Sequence, residues 1–306
     1  MRIGMWLEVS GLPADEIETA VRAADGAGYS TLWFGEVGNW DPLTLLTVAA
    51  REAASPRLGS AVVRSYPRHP LALAAQALTI QAMTGNRLVL GLGPSHAPIV
   101  EGQYGIPFTA PARNLREYLS VLIPLLRGEP VSYHGTDWTA VGQLELAGAE
   151  PPPVVVAAMG PKLLQLTGEL ADGVITTWVT PDTVIEQVVP ALRRAAEGAG
   201  RAVPEIIAQM PVAVTDDPDG TRELLNARLG MTRDLPSYRA AFEREGVSGP
   251  GDLVIAGDEL VVAKAIRRYA EAGVSEFMAV PVGAAADQAR TARLLPELTG
   301  DARAVR

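Results

Sequence analysis

The chain has 306 residues, 48% hydrophobic and 20% charged, with a formal net charge of −9; that is enough apolar material for a full core, and it excludes a disordered or collagen-like chain. The acidic balance argues against a general nucleic-acid or anionic-membrane surface, and the absence of cysteine excludes a disulfide framework, a thiol nucleophile and a cysteine-based zinc site. No apolar run reaches the ~18 residues of a membrane span and the N-terminal stretch lacks a signal-peptide layout, so a cytoplasmic protein without a membrane partner is expected.

In chain order, strands are predicted over 3–9, 31–36, 58–64, 87–93, 154–159, 174–179, 206–214 and 276–282. Most are continuous apolar runs, as in parallel strands buried on both faces. Helical patterns lie between them. Asp41-Pro42 and Thr180-Pro181 read as an N-cap followed by Pro at the first helical position. Gly28, Gly173 and Gly273 each fall where a helix should stop and a strand begin, the place of a left-handed C-terminal glycine. Three longer connections interrupt the rhythm: 94–112, rich in Pro and Gly; 129–153, which reads as a β-hairpin; and 217–257, which reads as helical and loop-rich. Eight strand–helix units without a composition break predict one (β/α)8 TIM barrel over 1–306 with those three insertions, the alternative being a doubly wound open sheet.

In a barrel the site lies at the C-terminal ends of the strands. There the sequence places Glu8, Glu36, Arg64, Ser95, His96, Met159, Gly160, Thr176, Thr177, Trp178 and Thr215. Of the three histidines, His69 reads as a helix-start cap and His134 as a solvated hairpin residue. His96, in "LVLGLGPSHAP", follows glycines that let a ligand approach the backbone; it is either catalytic or a loop histidine with a structural hydrogen bond. Their scatter, with no H-x-H or H-E-x-x-H spacing, predicts no metal site. Glu36 is either a general base or the partner of Arg64 in an ion pair. Gly91 and Gly93 form G-x-G without the third glycine of a dinucleotide fingerprint, a weak signal. "AAMGPK" (157–162) ends a strand and opens a helix whose free N–H groups, with Lys162, suit a phosphate; an ordinary Gly-Pro turn is the alternative.

Together, "AADGAGYSTLWFGE", "RLGSAVVRSYPRHPLALAAQALTI", "GNRLVLGLGPSHAPIVEGQYGIPF", "VVVAAMGPKLLQLTGELADGVITTW" and "AGDELVVAKAIRRYAEAGVSEFMAVP" resemble the luciferase-like flavin/deazaflavin oxidoreductase superfamily. The "AAMGPK…LTGELADGVI" stretch is most similar to its actinobacterial coenzyme F420-dependent branch. The resemblance implies a luciferase-like barrel with the ring at the C-terminal mouth. It implies a bulge with a non-proline cis peptide between Ala61 and Val62 behind the ring, and a cofactor phosphate near Met159, Gly160, Pro161 and Lys162. Gly93, Ser95, His96, Arg64 and Thr177 would line the ring or the substrate side. Two departures stand out: Arg64 replaces a smaller polar residue, and Pro94 replaces the acidic residue of sugar-phosphate-oxidising relatives, which argues against that substrate. Light emission, a specialisation of one branch, is not expected.

The expected activity is hydride transfer between F420 and a small alcohol, carbonyl or enone, with the protein supplying orientation and proton traffic. His96 would exchange the proton, Glu36 would hold the ring's polar edge or act as a second base, and Trp40 and Trp178 would form apolar walls or pack as core. The alternatives are an FMN-dependent monooxygenase using O2 and a separate reductase, and a non-catalytic flavin-binding barrel. Lys162, Arg64 and Arg68 are the candidate positive patch for an acidic cofactor. A homodimer through the helix at 42–54 is expected.

Overall fold

The computed structural model describes residues 1–299; the last residues of the expected 1–306 span lie outside the described residues. Its strands are β1 (Arg2–Trp6), β2 (Thr31–Phe34), β3 (Arg57–Ser60), β4 (Val63–Arg64), β5 (Leu88–Gly93), β6 (Val131–His134), β7 (Thr139–Gly142), β8 (Val154–Ala157), β9 (Gly173–Thr177), β10 (Glu205–Val214), β11 (Ile255–Gly257) and β12 (Glu276–Pro281). Eight of them pair in parallel in the ring β1-β2-β3-β5-β8-β9-β10-β12 and back to β1. This is a closed (β/α)8 barrel with helices around it, and the β9–β10 pairing rules out the open-sheet alternative. All eight predicted strands are present. The 217–257 insertion also carries a strand that was not anticipated, β11, which adds to the end of β10 through Val212 to Val214. Three residues are too short to show a period of their own.

The third predicted strand is not continuous. β3 pairs with β5 at Gly59↔Val89, and β4 resumes at Val63↔Leu92. Four steps on one strand face three on the other, so one residue is extra and the chain bulges there. The Ala61–Val62 peptide in the bulge is cis, where the resemblance placed it. The Ser60 hydroxyl spans the gap, donating to the Gly91 carbonyl at 2.8 Å and accepting from the Gly91 N–H at 2.9 Å.

The barrel interior is filled by Trp33, Val89, Val155, Ile175, Ile207 and Met278. Trp33 takes more than its share of that space. A Cβ at Gly59 would stand 2.2 Å from its ring, and one at Gly4 would stand 2.4 Å from a Glu276 oxygen. Glu276 has no exposure. Its carboxylate accepts from Trp33 Nε1 at 2.8 Å, Arg57 Nη2 at 2.5 Å, Arg2 Nε at 3.1 Å and Thr31 Oγ1 at 3.2 Å. These groups sit at the start of their strands, so the ion cluster seals the N-terminal end and leaves the other end for chemistry.

The helix caps are partly as expected. Asp41 and Thr180 accept from the N–H groups of Thr44 and Thr183, and His69 Nδ1 accepts from Leu71 N–H. Gly28 and Gly273 adopt φ of +86° and +94°. Gly173 departs: it is the first residue of β9, outside the left-handed region. Its reason is close approach, since a Cβ there would lie 2.8 Å from Val155 Cγ1. The 129–153 insertion contains the β6–β7 hairpin. The Glu117 carboxylate anchors it by accepting from the N–H groups of Thr136, Asp137 and Trp138.

Replacing Glu276 with Ala leaves the Trp33 indole N–H without its partner and takes from Arg57 its close carboxylate, leaving it Thr31 at 3.3 Å and Glu205 at 4.0 Å. The expected loss is about 3–5 kcal/mol of folding stability, read from the urea midpoint; a loss under ~1 kcal/mol would contradict the role given to this carboxylate.

Candidate active site

At the C-terminal ends of β2 and β4 four charged residues form one cluster. Glu36 Oε2 accepts from Arg68 Nη1 at 2.7 Å and from the Arg64 backbone N–H at 2.8 Å. Arg68 also pairs with Asp41 at 2.7 Å. Arg64 donates to the Glu36 carbonyl at 2.9 Å and to the Tyr104 hydroxyl at 3.1 Å. Of the two readings of Glu36, the ion pair is the one realised, and its side-chain partner is chiefly Arg68; the Arg64 guanidinium stands 4.0 Å away.

β5 ends at Gly93, and Ser95 then adopts φ +67°, a conformation that costs a residue with a side chain of order 1 kcal/mol or more. That turn delivers His96 to the start of helix Ala97–Tyr104, where its side chain makes no capping bond. Nδ1 instead meets the Ser237 hydroxyl at 3.1 Å and the ring lies 4.8 Å from the Tyr238 ring. Burial, and then the nearby Arg64 cation, push the His96 pKa below its ordinary value. The imidazole is therefore neutral near pH 7 and able to accept a proton.

β8 leads through Met159 and Gly160 into helix Pro161–Leu170, whose N-terminus has no side-chain cap. β9 ends at Thr177, and Trp178 follows at φ +54°. Met159, Thr177 and Trp178 line one cavity with Arg244 and Glu245. Helix Pro236–Glu245 lies over these strand ends. Phe242 packs on Trp178 with centroids 5.8 Å apart, Thr180 Oγ1 donates to Glu245 at 2.6 Å, and Arg244 donates to the Met159 carbonyl. The same helix carries Ser237 and Tyr238 onto His96, so it spans the ends of β5, β8 and β9.

The structure thus brings together Glu36 with Arg64, Arg68 and Tyr104, and Met159 with Thr177 and Trp178; helix Pro236–Glu245 links His96 to the second group. Gly93 backs onto the bulge, where a Cβ would lie 3.2 Å from both Val62 and Ala157. Trp40, with its neighbour Asp41, lines a groove between helices Ala14–Ala27 and Pro42–Glu52. Lys162 and Pro161 are exposed on the rim. His69 caps its helix and His134 is exposed. Among the described residues no group of three or more His, Asp and Glu could hold a metal ion, and no helix is long and apolar enough to cross a membrane. Sequence reasoning missed Arg244, Ser237, Tyr238 and Tyr104; "SYRAAFERE" carries only the pattern of a solvated helix.

Residues 1–276 match the luciferase-like monooxygenase family, and the chain belongs to it. The class is therefore that of the luciferase-like oxidoreductases. Among its relatives is a Mycobacterium tuberculosis protein provisionally named a coenzyme F420-dependent oxidoreductase, 31% identical over 71% of this chain and 68% of that protein. Two solved structures share the fold. An F420-dependent secondary alcohol dehydrogenase in complex with an F420-acetone adduct is 20% identical, with a TM-score of 0.81 over 99% of each chain. The oxygenating constituent of 3,6-diketocamphane monooxygenase from Pseudomonas putida, in complex with FMN, is 17% identical, with a TM-score of 0.75 over 99% of this chain and 98% of that one.

The His96 imidazole should titrate by NMR below the ordinary histidine value of about 6.5, and Arg64→Gln should move it upward by removing a nearby cation. The unfolded chain binds this proton more readily than the folded one, so the contribution is intact above pH ~6.5 and is lost as pH falls below it. A His96 titration at or above 6.5, unmoved by Arg64→Gln, would contradict this arrangement.

Proposed function

We propose that this chain is an F420-dependent oxidoreductase acting on a small alcohol, carbonyl or enone at the C-terminal mouth of the barrel. The residues there fit a deazaflavin or flavin. The Trp6 indole N–H is a buried donor without a partner, and it belongs to the layer that Trp6 forms with Ala61 and Val62 over the barrel core. The Pro161–Leu170 helix start is uncapped, which suits an anionic group. Ala61, Val62 and Gly93 would back the ring; Met159, Gly160, Pro161 and Thr177 would hold the phosphate side. When bound, the deazaflavin supplies two-electron hydride chemistry at its ring.

The observation that carries the proposal is the neutral, half-buried His96 with Nδ1 tied to Ser237. Nε2 is left to take the proton of a substrate hydroxyl during oxidation, and to return it to the carbonyl oxygen in reduction. Arg64, fixed by Glu36 and Tyr104, adds to the burial that keeps His96 neutral and places a positive charge beside the developing oxyanion. Glu36 positions Arg64 and Arg68. Trp178 and Phe242 supply apolar cover that excludes water.

The FMN-bound neighbour and the family description favour a second reading, an FMN-dependent monooxygenase fed by a separate reductase. Oxygen decides between them: reduced F420 reacts with it sluggishly, whereas reduced FMN consumes it. The proposal includes a cytoplasmic protein and a homodimer through helix Pro42–Glu52, whose Val48 is exposed.

Reduced F420 mixed with enzyme and a panel of ketones and enones should be reoxidised without oxygen uptake. His96→Ala should lower kcat by about 10²–10⁴-fold and abolish the fall in rate toward high pH that loss of the donor's proton produces in this reductive direction. Full turnover by His96→Ala would remove His96 from the mechanism, and oxygen uptake with reduced FMN would move the protein to the monooxygenase reading.

A further inference from the structure

Arg64 stands at the end of β4, where its charge reaches His96. Its side chain is 18% exposed, so it is open to solvent at the rim. A guanidinium is all donor, with several N–H groups and no acceptor. The hydrogen bonds of the Arg64 side chain go to neutral oxygens, the Glu36 backbone carbonyl at 2.9 Å and the Tyr104 hydroxyl at 3.1 Å. Among the described residues the only carboxylate within 4.0 Å is Glu36, and it stands at that limit. Both acids of the cluster are instead held by Arg68, each at 2.7 Å. The charges of the cluster balance in sum, yet the Arg64 cation has no anion in direct contact.

Tyr104 belongs to the same arrangement. It is exposed, and its oxygen accepts from Arg64, which leaves the O–H proton to donate. Arg64 pairs in register with Gly93 at the end of β5, and Tyr104 ends the helix that begins next to His96. The open N–H groups, the phenol O–H and the imidazole are therefore fixed to one sector of the rim. The planar fork of a guanidinium matches a carboxylate. One cation also balances one negative charge, whereas a phosphate ester brings nearly two, and Arg68 is already spent on Glu36 and Asp41.

We infer that Arg64, with the Tyr104 hydroxyl, is a recognition site for a substrate carboxylate, and that the substrate reduced at this mouth is a small α-oxo acid. The substrate role rests on the reading of the mouth as a hydride-transfer site; the carboxylate contact does not. In an α-oxo acid the carboxyl group is bonded directly to the reacting carbonyl carbon, so one guanidinium can hold the carboxylate and still face the oxygen on which charge develops. The chemistry is otherwise that of the proposed function. A hydride from the reduced deazaflavin joins the carbonyl carbon, the π pair moves to the oxygen and takes the proton from His96, and the acid gains the two electrons that the cofactor loses.

The contact is tested in cofactor-free protein by NMR titration of His96 with pyruvate, methyl pyruvate and inorganic phosphate. Pyruvate should move the His96 titration upward, because an anion beside Arg64 offsets the cation that the imidazole feels. Methyl pyruvate and phosphate should leave it in place, and in Arg64→Gln pyruvate should have no effect. The substrate role is tested with reduced F420. Wild type should favour pyruvate over methyl pyruvate in kcat/KM by at least about tenfold. Arg64→Gln should raise the KM for pyruvate roughly tenfold to a hundredfold and leave that for the ester unmoved, while kcat falls for both; Arg64→Lys should restore part of the KM loss. A His96 titration unmoved by pyruvate, or moved as far by phosphate, would overturn the carboxylate site. Equal kcat/KM for acid and ester in wild type would overturn the substrate class. If pyruvate moves His96 through Arg64 but neither compound is reduced, the carboxylate site stands and the hydride-transfer reading falls with the α-oxo acid substrate.

Discussion

A carboxylate with no access to water, Glu276, is the interaction on which the barrel depends. A buried ion is tolerated only where its partners satisfy it, and Glu276 has Trp33, Arg57, Arg2 and Thr31. The partners come from β1, β2 and β3 and the carboxylate from β12, consecutive strands of the ring. Holding them to one carboxylate fixes their relative register. Trp33 then fills the space above, and the strands beside it can carry only glycine at positions 4 and 59. With the floor sealed and the middle packed, variation is left to the C-terminal rim.

At the rim the same physics is arranged for use. Arg68 takes both Glu36 and Asp41, which frees Arg64 to face the Tyr104 hydroxyl and His96. Burial, and after it the cation, depresses the histidine's proton affinity, so a neutral imidazole stands beside a positive charge: a base next to an oxyanion stabiliser. On the other side of the mouth an uncapped helix start and Arg244 present positive potential in a chain whose total charge is −9. Local placement, not net charge, equips the protein for an acidic cofactor.

Much of this is legible in the sequence because it is written locally. Continuous apolar runs gave the eight strands, the Asp41-Pro42 and Thr180-Pro181 pairs marked helix starts, and the small residues after β5 placed His96 at the rim. The cis peptide at Ala61–Val62 is visible only through family resemblance, since nothing in the Ala-Val-Val-Arg run itself calls for it. Gly173 misled because glycine serves two needs, positive φ and close approach, and the sequence pattern is the same for both. Arg244 was invisible because its partner lies 85 residues away, and Glu36 could not be assigned until Arg68 was seen to fold back on it.

The central claim is that the barrel mouth is a deazaflavin site, and the most direct measurement is a titration of purified protein with oxidised F420 and with FMN, followed by absorbance and tryptophan fluorescence. The account predicts saturable one-to-one binding of F420 in the micromolar range or tighter, clearly stronger than FMN, with quenching from Trp178. Preference for FMN would contradict the deazaflavin assignment, and binding of neither would contradict the cofactor site itself.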